Sequence, residues 1–168
     1  MNLGELIRRF RTLSNDRVAH PYFWGDTDLK DWFNDAQRQA AIRARLLPED
    51  SIATMCRIPL QAGKHTYKLN PKVYEIIMLR LLPGNGGRPE PMALKSREWL
   101  DANRPDWRDD VNPPRFAIQS DIALRVVGAV AAGDVLDLEV YRLPLKDLCS
   151  EGDVPEIRSE ERRVGKEC

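Results

Sequence analysis

The chain has 168 residues, 42% of them apolar and 31% charged, and its 26 basic and 26 acidic side chains leave no net charge. That length accommodates one domain with a core of its own, and a neutral balance lacks the electrostatic footprint of an independent nucleic-acid or anionic-membrane binder. Uncharged runs such as Val126–Gly133 are too short to cross a bilayer, and no charged-then-apolar leader is visible, so a soluble protein of a reducing cytoplasm is expected.

In chain order, Leu3, Leu6, Ile7, Phe10 and Leu13 recur at helical spacing, and Ser14-Asn15-Asp16 closes the segment with turn formers. A loop with His20, Pro21 and the aromatic group Tyr22-Phe23-Trp24 leads to Gly25-Asp26-Thr27, suited to capping a longer helix. The expected apolar face of that helix is Leu29, Trp32, Phe33, Ala36, Ala40, Ala44 and Leu47. Lys30, Asp31, Asp35, Arg38, Gln39 and Arg45 lie opposite, and Pro48 ends it.

The period then changes to two. Cys56, Ile58 and Leu60 alternate, Gln61–Lys64 turns, and His65, Tyr67 and Leu69 alternate again, which predicts a hairpin. Val73–Leu82 is nearly all apolar and reads as a central strand buried on both faces, followed by the turn Gly84-Asn85-Gly86-Gly87. Ser96–Arg108 reads as a short helix capped by Ser96 and stopped by Pro105. Strands follow around Phe116 and Ile118, around Ile122, Leu124 and Val126, and around Leu136, Leu138 and Val140. The prediction is an α+β fold: two N-terminal helices packed on a mainly antiparallel sheet, with a short helix inserted near 96–104. Residues 1–157 are expected to form a single domain.

The last eleven residues, Arg158–Cys168, share neither periodicity nor composition with the rest. They resemble the in-frame translation of a common short-read sequencing adapter, and are expected to be a non-native tail on a C-terminally truncated protein. Without them the net charge is −1 and the cysteines are Cys56 and Cys149, with no CxxC pair and no neighbouring histidine. Neither a disulfide framework nor a zinc site is indicated.

The signals for chemistry are weak. His20 and His65 sit in no metal-binding helix motif, and Gly84–Gly87 lacks the lysine and the helix start of a phosphate loop. Glu98, Asp101, Asp109 and Asp110 have no paired base, so no catalytic, metal-binding or cofactor-binding residue is assigned. Large aromatics beside arginine on irregular segments have the composition of a docking surface. Trp24, Arg104, Trp107 and Arg108 are the candidate interface residues, although either Trp99 or Trp107 could equally cover the end of a sheet.

The helix Trp24–Leu47, the hairpin with Gly63…Tyr67-Lys68-Leu69, the block Leu100-Asp101…Pro105-Asp106-Trp107-Arg108, and the closing Arg142-Leu143-Pro144…Asp153-Val154-Pro155-Glu156-Ile157 stand in a recognisable order. Together they resemble the neck adaptor, head-to-tail connector or tail-tubular-A-like proteins of short-tailed (podovirus-type) phages, over Leu3 to Ile157. The resemblance implies a structural virion protein without enzymatic activity, made in the bacterial host cytoplasm. It also implies a homo-oligomeric ring, usually a dodecamer, between the portal protein and the tail nozzle or tail tube protein, with DNA passing through its channel and no membrane or cofactor involved. The alternatives weighed are a small carbohydrate- or peptidoglycan-acting hydrolase, using two of Glu75, Glu98, Asp101, Asp109 and Asp110, and a DNA-binding accessory protein, using Lys30, Arg38, Arg43 and Arg45.

Overall fold

The computed structural model describes residues 1–16 and 22–157. The expectations for His20, Pro21 and Arg158–Cys168 lie outside the described residues. Backbone contacts divide the chain into two compact units, one made of residues 1–47 with the segment from Leu143 onward, the other of Pro48–Arg142.

The first unit contains α1 (Leu3–Leu13) and α2 (Asp26–Ala44). A capping box starts α1: the Asn2 side chain accepts from the Glu5 N–H at 2.9 Å, and the Glu5 carboxylate accepts from the Asn2 N–H at 3.0 Å. α2 starts at Gly25 without a side-chain cap, and Asp26 and Asp28 supply negative charge to its first turn. Leu3, Ile7, Leu29 and Leu148 form the core of this unit, with Phe10, Trp24 and Phe33 packed against it.

The buried face of α2 differs from the predicted stripe: it comprises Leu29, Asn34, Gln37 and Ala41, whereas Ala36 and Ala44 are exposed and Trp32 is 45% exposed. The helix turns two polar side chains inward because they bind backbone. Asn34 Nδ2 donates to Leu148 O at 3.1 Å, the Leu148 N–H donates to Asn34 Oδ1 at 2.7 Å, and the Glu156 N–H donates to Gln37 Oε1 at 2.9 Å. The segment from Leu143 on forms no helix or strand through Ile157, so its main-chain groups need such partners.

The second unit is a curled, mostly antiparallel sheet built from β1 (Pro48–Glu49), β2 (Arg57–Pro59), β3 (Thr66–Lys68), β4 (Val73–Leu82), β5 (Glu90–Leu94), β6 (Phe116–Ser120), β7 (Ala123–Val127) and β8 (Val135–Arg142). The order is β1-β8-β4-β5-β6-β7-β3, and β2 also pairs with β8. α3 (Ala53–Cys56) precedes β2, and α4 (Arg97–Asn103) lies between β5 and β6. One cluster, including Leu79, Leu81, Leu124, Val126, Leu136, Leu138 and Val140, fills the interior; a second, Leu100, Trp107, Ile118 and Val127, packs beside α4. Each fully buried side chain of this size contributes about 1.5–3 kcal/mol relative to exposure.

Three expectations need correction. The predicted hairpin does not form: β2 pairs with β8 (Ile58↔Leu136) and β3 with β7 (Tyr67↔Leu124), while Cys56 ends α3. The turn itself is present, held by Tyr67 Oη, which accepts from the Gln61 N–H at 2.9 Å and donates to Lys64 O at 2.7 Å. It carries the chain from one strand partner to another. β4 is central, but it is not buried on both faces, since Ile77 and Met78 are 42% and 39% exposed. Irregularities at Val73/Glu75 and Ile76/Met78 shift its register against β8, so a run of apolar residues places Val73, Ile76, Leu79 and Leu81 inward without strict alternation. Finally, β5 has no counterpart in the sequence reading, and it pairs in parallel with β6 (Ala93↔Phe116, Leu94↔Ala117). Parallel neighbours require a crossover, and the Ser96–Arg108 insertion supplies it.

Candidate functional site

The crossover is built around one carboxylate. Ser96 Oγ accepts from the Trp99 N–H at 3.2 Å, which starts α4, and Leu100 on its inner face is fully buried. After Pro105 a short 3-10 turn, Trp107–Asp109, brings the Trp107 indole under the helix. Asp101 Oδ1 accepts from Trp107 Nε1 at 2.8 Å and from Arg108 Nη1 at 2.8 Å. These bonds, that from Arg108 foremost, hold the Asp101 carboxyl below its ordinary range. Trp107 is only 4% exposed, so it belongs to the core; Arg104 and Arg108 stand exposed beside it.

Cations stack on every ring here. Arg108 lies over Trp107 at 4.4 Å and Arg125 over the same ring at 5.0 Å, Arg104 over Phe116 at 5.3 Å, and Lys95 over Trp99 at 4.6 Å. Such contacts contribute about 0.5–1 kcal/mol each at exposed sites and hold the long side chains in place. A cavity of about 380 Å³ is lined by Arg104, Pro105, Trp107, Asp110 and Val111, which is 83% exposed. The Asp110 carboxyl is held low, mainly by the Asn112 N–H at 2.9 Å. The loop closes where Gly128 (φ +114°) passes Asn112, since a Cβ there would lie 2.6 Å from the Asn112 carbonyl oxygen.

The aromatic turn in the other unit rests on a buried arginine. Arg11, 7% exposed, donates to Asp16 Oδ2 at 2.6 Å, Trp24 O at 3.0 Å and Asp26 Oδ1 at 2.6 Å, and its guanidinium lies 3.8 Å from the Tyr22 ring centroid. Asp16 in turn accepts from the Phe23 N–H at 2.9 Å. Trp24 is half-buried between Phe23, at 4.7 Å, and Trp32, at 5.0 Å, and Phe23 itself is 80% exposed. The sequence reading named Trp24 but not Arg11, although Arg11 continues the i, i+4 row begun by Leu3 and Ile7. Asn34 and Gln37 were likewise placed by no sequence pattern.

The acidic residues of the crossover serve local structure rather than a shared centre. Asp101 and Asp110 hold the turn as described, and Glu98 occupies the first turn of α4. Among the described residues no group of three or more His, Cys, Asp or Glu side chains is placed to hold a metal ion. His65 lies just before β3, and its carbonyl accepts from the Val126 N–H at 2.8 Å. Burial pushes the Cys56 thiol up, and its Sγ lies 3.4 Å from Glu49 O. Glu49 is pulled down to about 2, first by the Ser51 hydroxyl at 2.6 Å, with the Ser51 N–H and Arg142 Nε adding to the effect.

Among the described residues the geometry offers two candidate surfaces: a crossover with stacked arginines and an exposed aromatic turn. No curated protein matches the chain. The family described as SU10 adaptor protein matches it over residues 1–160. That match spans both units and both candidate surfaces, and the chain belongs to the SU10 adaptor protein family, a family of phage structural proteins.

Proposed function

We propose that this protein is a non-enzymatic, tail-tubular-A-like adaptor of a short-tailed phage that joins the portal vertex of the capsid to the tail. In this reading it forms a homo-oligomeric ring of twelve subunits, contacts the portal protein on one side and the tail nozzle or tail tube protein on the other, and lets DNA pass through its channel. Its place is the head–tail junction of the virion. The observation that carries the reading is the family match over almost the whole chain. The neutral charge is compatible with it, because a channel wall that bound phosphates strongly would hinder DNA transit.

The same reading assigns residues 1–157 to one adaptor-like domain and 158–168 to a non-native tail. It makes Arg104 and Arg108 contact residues set on the buried Trp107, and makes Trp24 part of a second contact through the aromatic turn. Electron microscopy of the protein, with its natural C-terminus restored, mixed with its portal is the test. Twelve-membered rings seated on the portal support the proposal; a monomer that never binds portal overturns it.

A further inference from the structure

One cavity lies beside α4, against β6 and β7. It has a volume of about 360 Å³ and is lined by Arg97, Arg125, Glu98 and the hydroxyl-bearing Ser96, Thr66 and Ser120. Neither Arg97 nor Arg125 joins an ion pair among the described residues, whereas Arg104, Arg108, Arg80 and Arg142 all do. Arg125 Nε is shielded from solvent with no acceptor among the described residues. A buried donor on a cation without an acceptor is costly, so an incoming anion gains more at Arg125 than at a fully solvated arginine. With Glu98 present the cavity carries a net charge of about +1, which suits one or two carboxylates better than a run of phosphodiesters.

The chain carries the matching acidic face. On α2, Asp28, Asp31 and Asp35 stand at i, i+3 and i+7, all exposed and on one side of the helix, next to the half-exposed Trp32. Asp35 pairs with Arg38 at 3.2 Å, but Asp28 and Asp31 join no ion pair among the described residues. Among the described residues, cations without ion pairs on α4 and β7, and anions without ion pairs on α2, give the chain two surfaces of opposite charge that complement each other.

We propose that the cavity is a socket for a second copy of this chain: Asp28 and Asp31 of one copy pair with Arg97 and Arg125 of the next. The surfaces differ, so the contact is heterologous and repeats from copy to copy until the ring closes. The inference deepens the ring reading and rests on it, naming the subunit–subunit contact.

The test is a charge-reversal cycle on the full chain, read by sedimentation of the protein alone and by electron microscopy of portal-bound rings, with circular dichroism as the check on folding. Asp28→Arg with Asp31→Arg, or Arg97→Glu with Arg125→Glu, is expected to weaken self-association about tenfold or more, and the four changes together are expected to restore it. Self-association of both double variants at the wild-type level overturns the socket; if wild-type rings still sit on the portal, the ring reading survives. Charge-dependent self-association without portal-bound rings supports the socket and overturns the ring reading. Binding of a DNA duplex that is lost in Arg97→Glu/Arg125→Glu, with self-association unchanged, overturns the socket in favour of a phosphate site. If the double variants fail to fold, the single substitutions Arg97→Gln and Asp31→Asn decide by the same two readouts.

Discussion

Asn34 and Leu148 are joined by a reciprocal pair of hydrogen bonds in which one side-chain amide satisfies both main-chain groups of a residue 114 positions away in sequence. The leucine side chain is meanwhile 4% exposed in the helical core. One residue is thus anchored by packing and by hydrogen bonding together, in a segment that has no secondary structure to satisfy its backbone.

Asn34→Ala is expected to cost about 1–3 kcal/mol, because a buried N–H and C=O lose their partners. Asn34→Asp, which keeps an acceptor for the Leu148 N–H but brings a charge into the core, is expected to be at least as damaging near neutral pH. Urea unfolding checks both, and hydrogen exchange at the Leu148 amide reports the local loss.

Removing one member of the buried Arg11–Asp16 pair leaves the other charge uncompensated, and Arg11→Met is expected to cost about 3–5 kcal/mol. Both side chains are 8% exposed. Since Arg11 also binds the Trp24 carbonyl, the tryptophan emission should move toward that of solvent-exposed indole before global unfolding.

Trp107→Ala is expected to destabilise the fold by about 3–5 kcal/mol, the cost of emptying an aromatic site in a core. Arg108→Ala should change stability by less than about 1 kcal/mol, because its ion pair with Asp101 is half-exposed on both sides. Arg104→Ala and Arg108→Ala are therefore the variants that separate docking from folding, and portal binding measured beside thermal unfolding distinguishes the two.

Glu49 contributes a pH dependence of stability. Its carboxyl is held at about 2 against an ordinary 4.5, so its contribution to stability is complete above 4.5 and is lost as the pH falls through about 2. Glu49→Gln is expected to be less stable than wild type by about 1–3 kcal/mol at pH 7. The difference should shrink steadily below pH 4.5, which urea midpoints measured from pH 6 to pH 2 would reveal.

Local signals in the sequence are strong where a structure satisfies itself within a few residues. The start of α4 at Ser96 and its stop before Pro105 are written in a cap and a breaker, and each occurs where the sequence places it; the capping box at Asn2 that starts α1 is equally local, but the apolar spacing of Leu3–Leu13 alone does not single it out. The pairing of β2 with β8 rather than β3 is a decision between segments nearly 80 residues apart, and alternation in Cys56–Leu69 carries no information about it. β5 was hidden by Pro91 and by its shortness. The continuous apolar run of β4 concealed its register shifts, because a pattern count assumes a period of two. At the candidate surfaces the exposed arginines and Trp24 were legible as composition, but the burial of Trp107 and Arg11 depends on partners that only the fold brings together.

Because Leu148 completes a core whose other buried members, Leu3, Ile7 and Leu29, lie near the start of the chain, that unit cannot close as it emerges from the ribosome. At about 5–20 residues per second, the N-terminal helices wait on the order of ten seconds for their last core residue, while the contiguous sheet unit, Pro48–Arg142, is made in between. Throughout that interval α1 and α2 carry an apolar face that lacks Leu148, so the order of synthesis leaves this core exposed longer than that of the contiguous sheet unit.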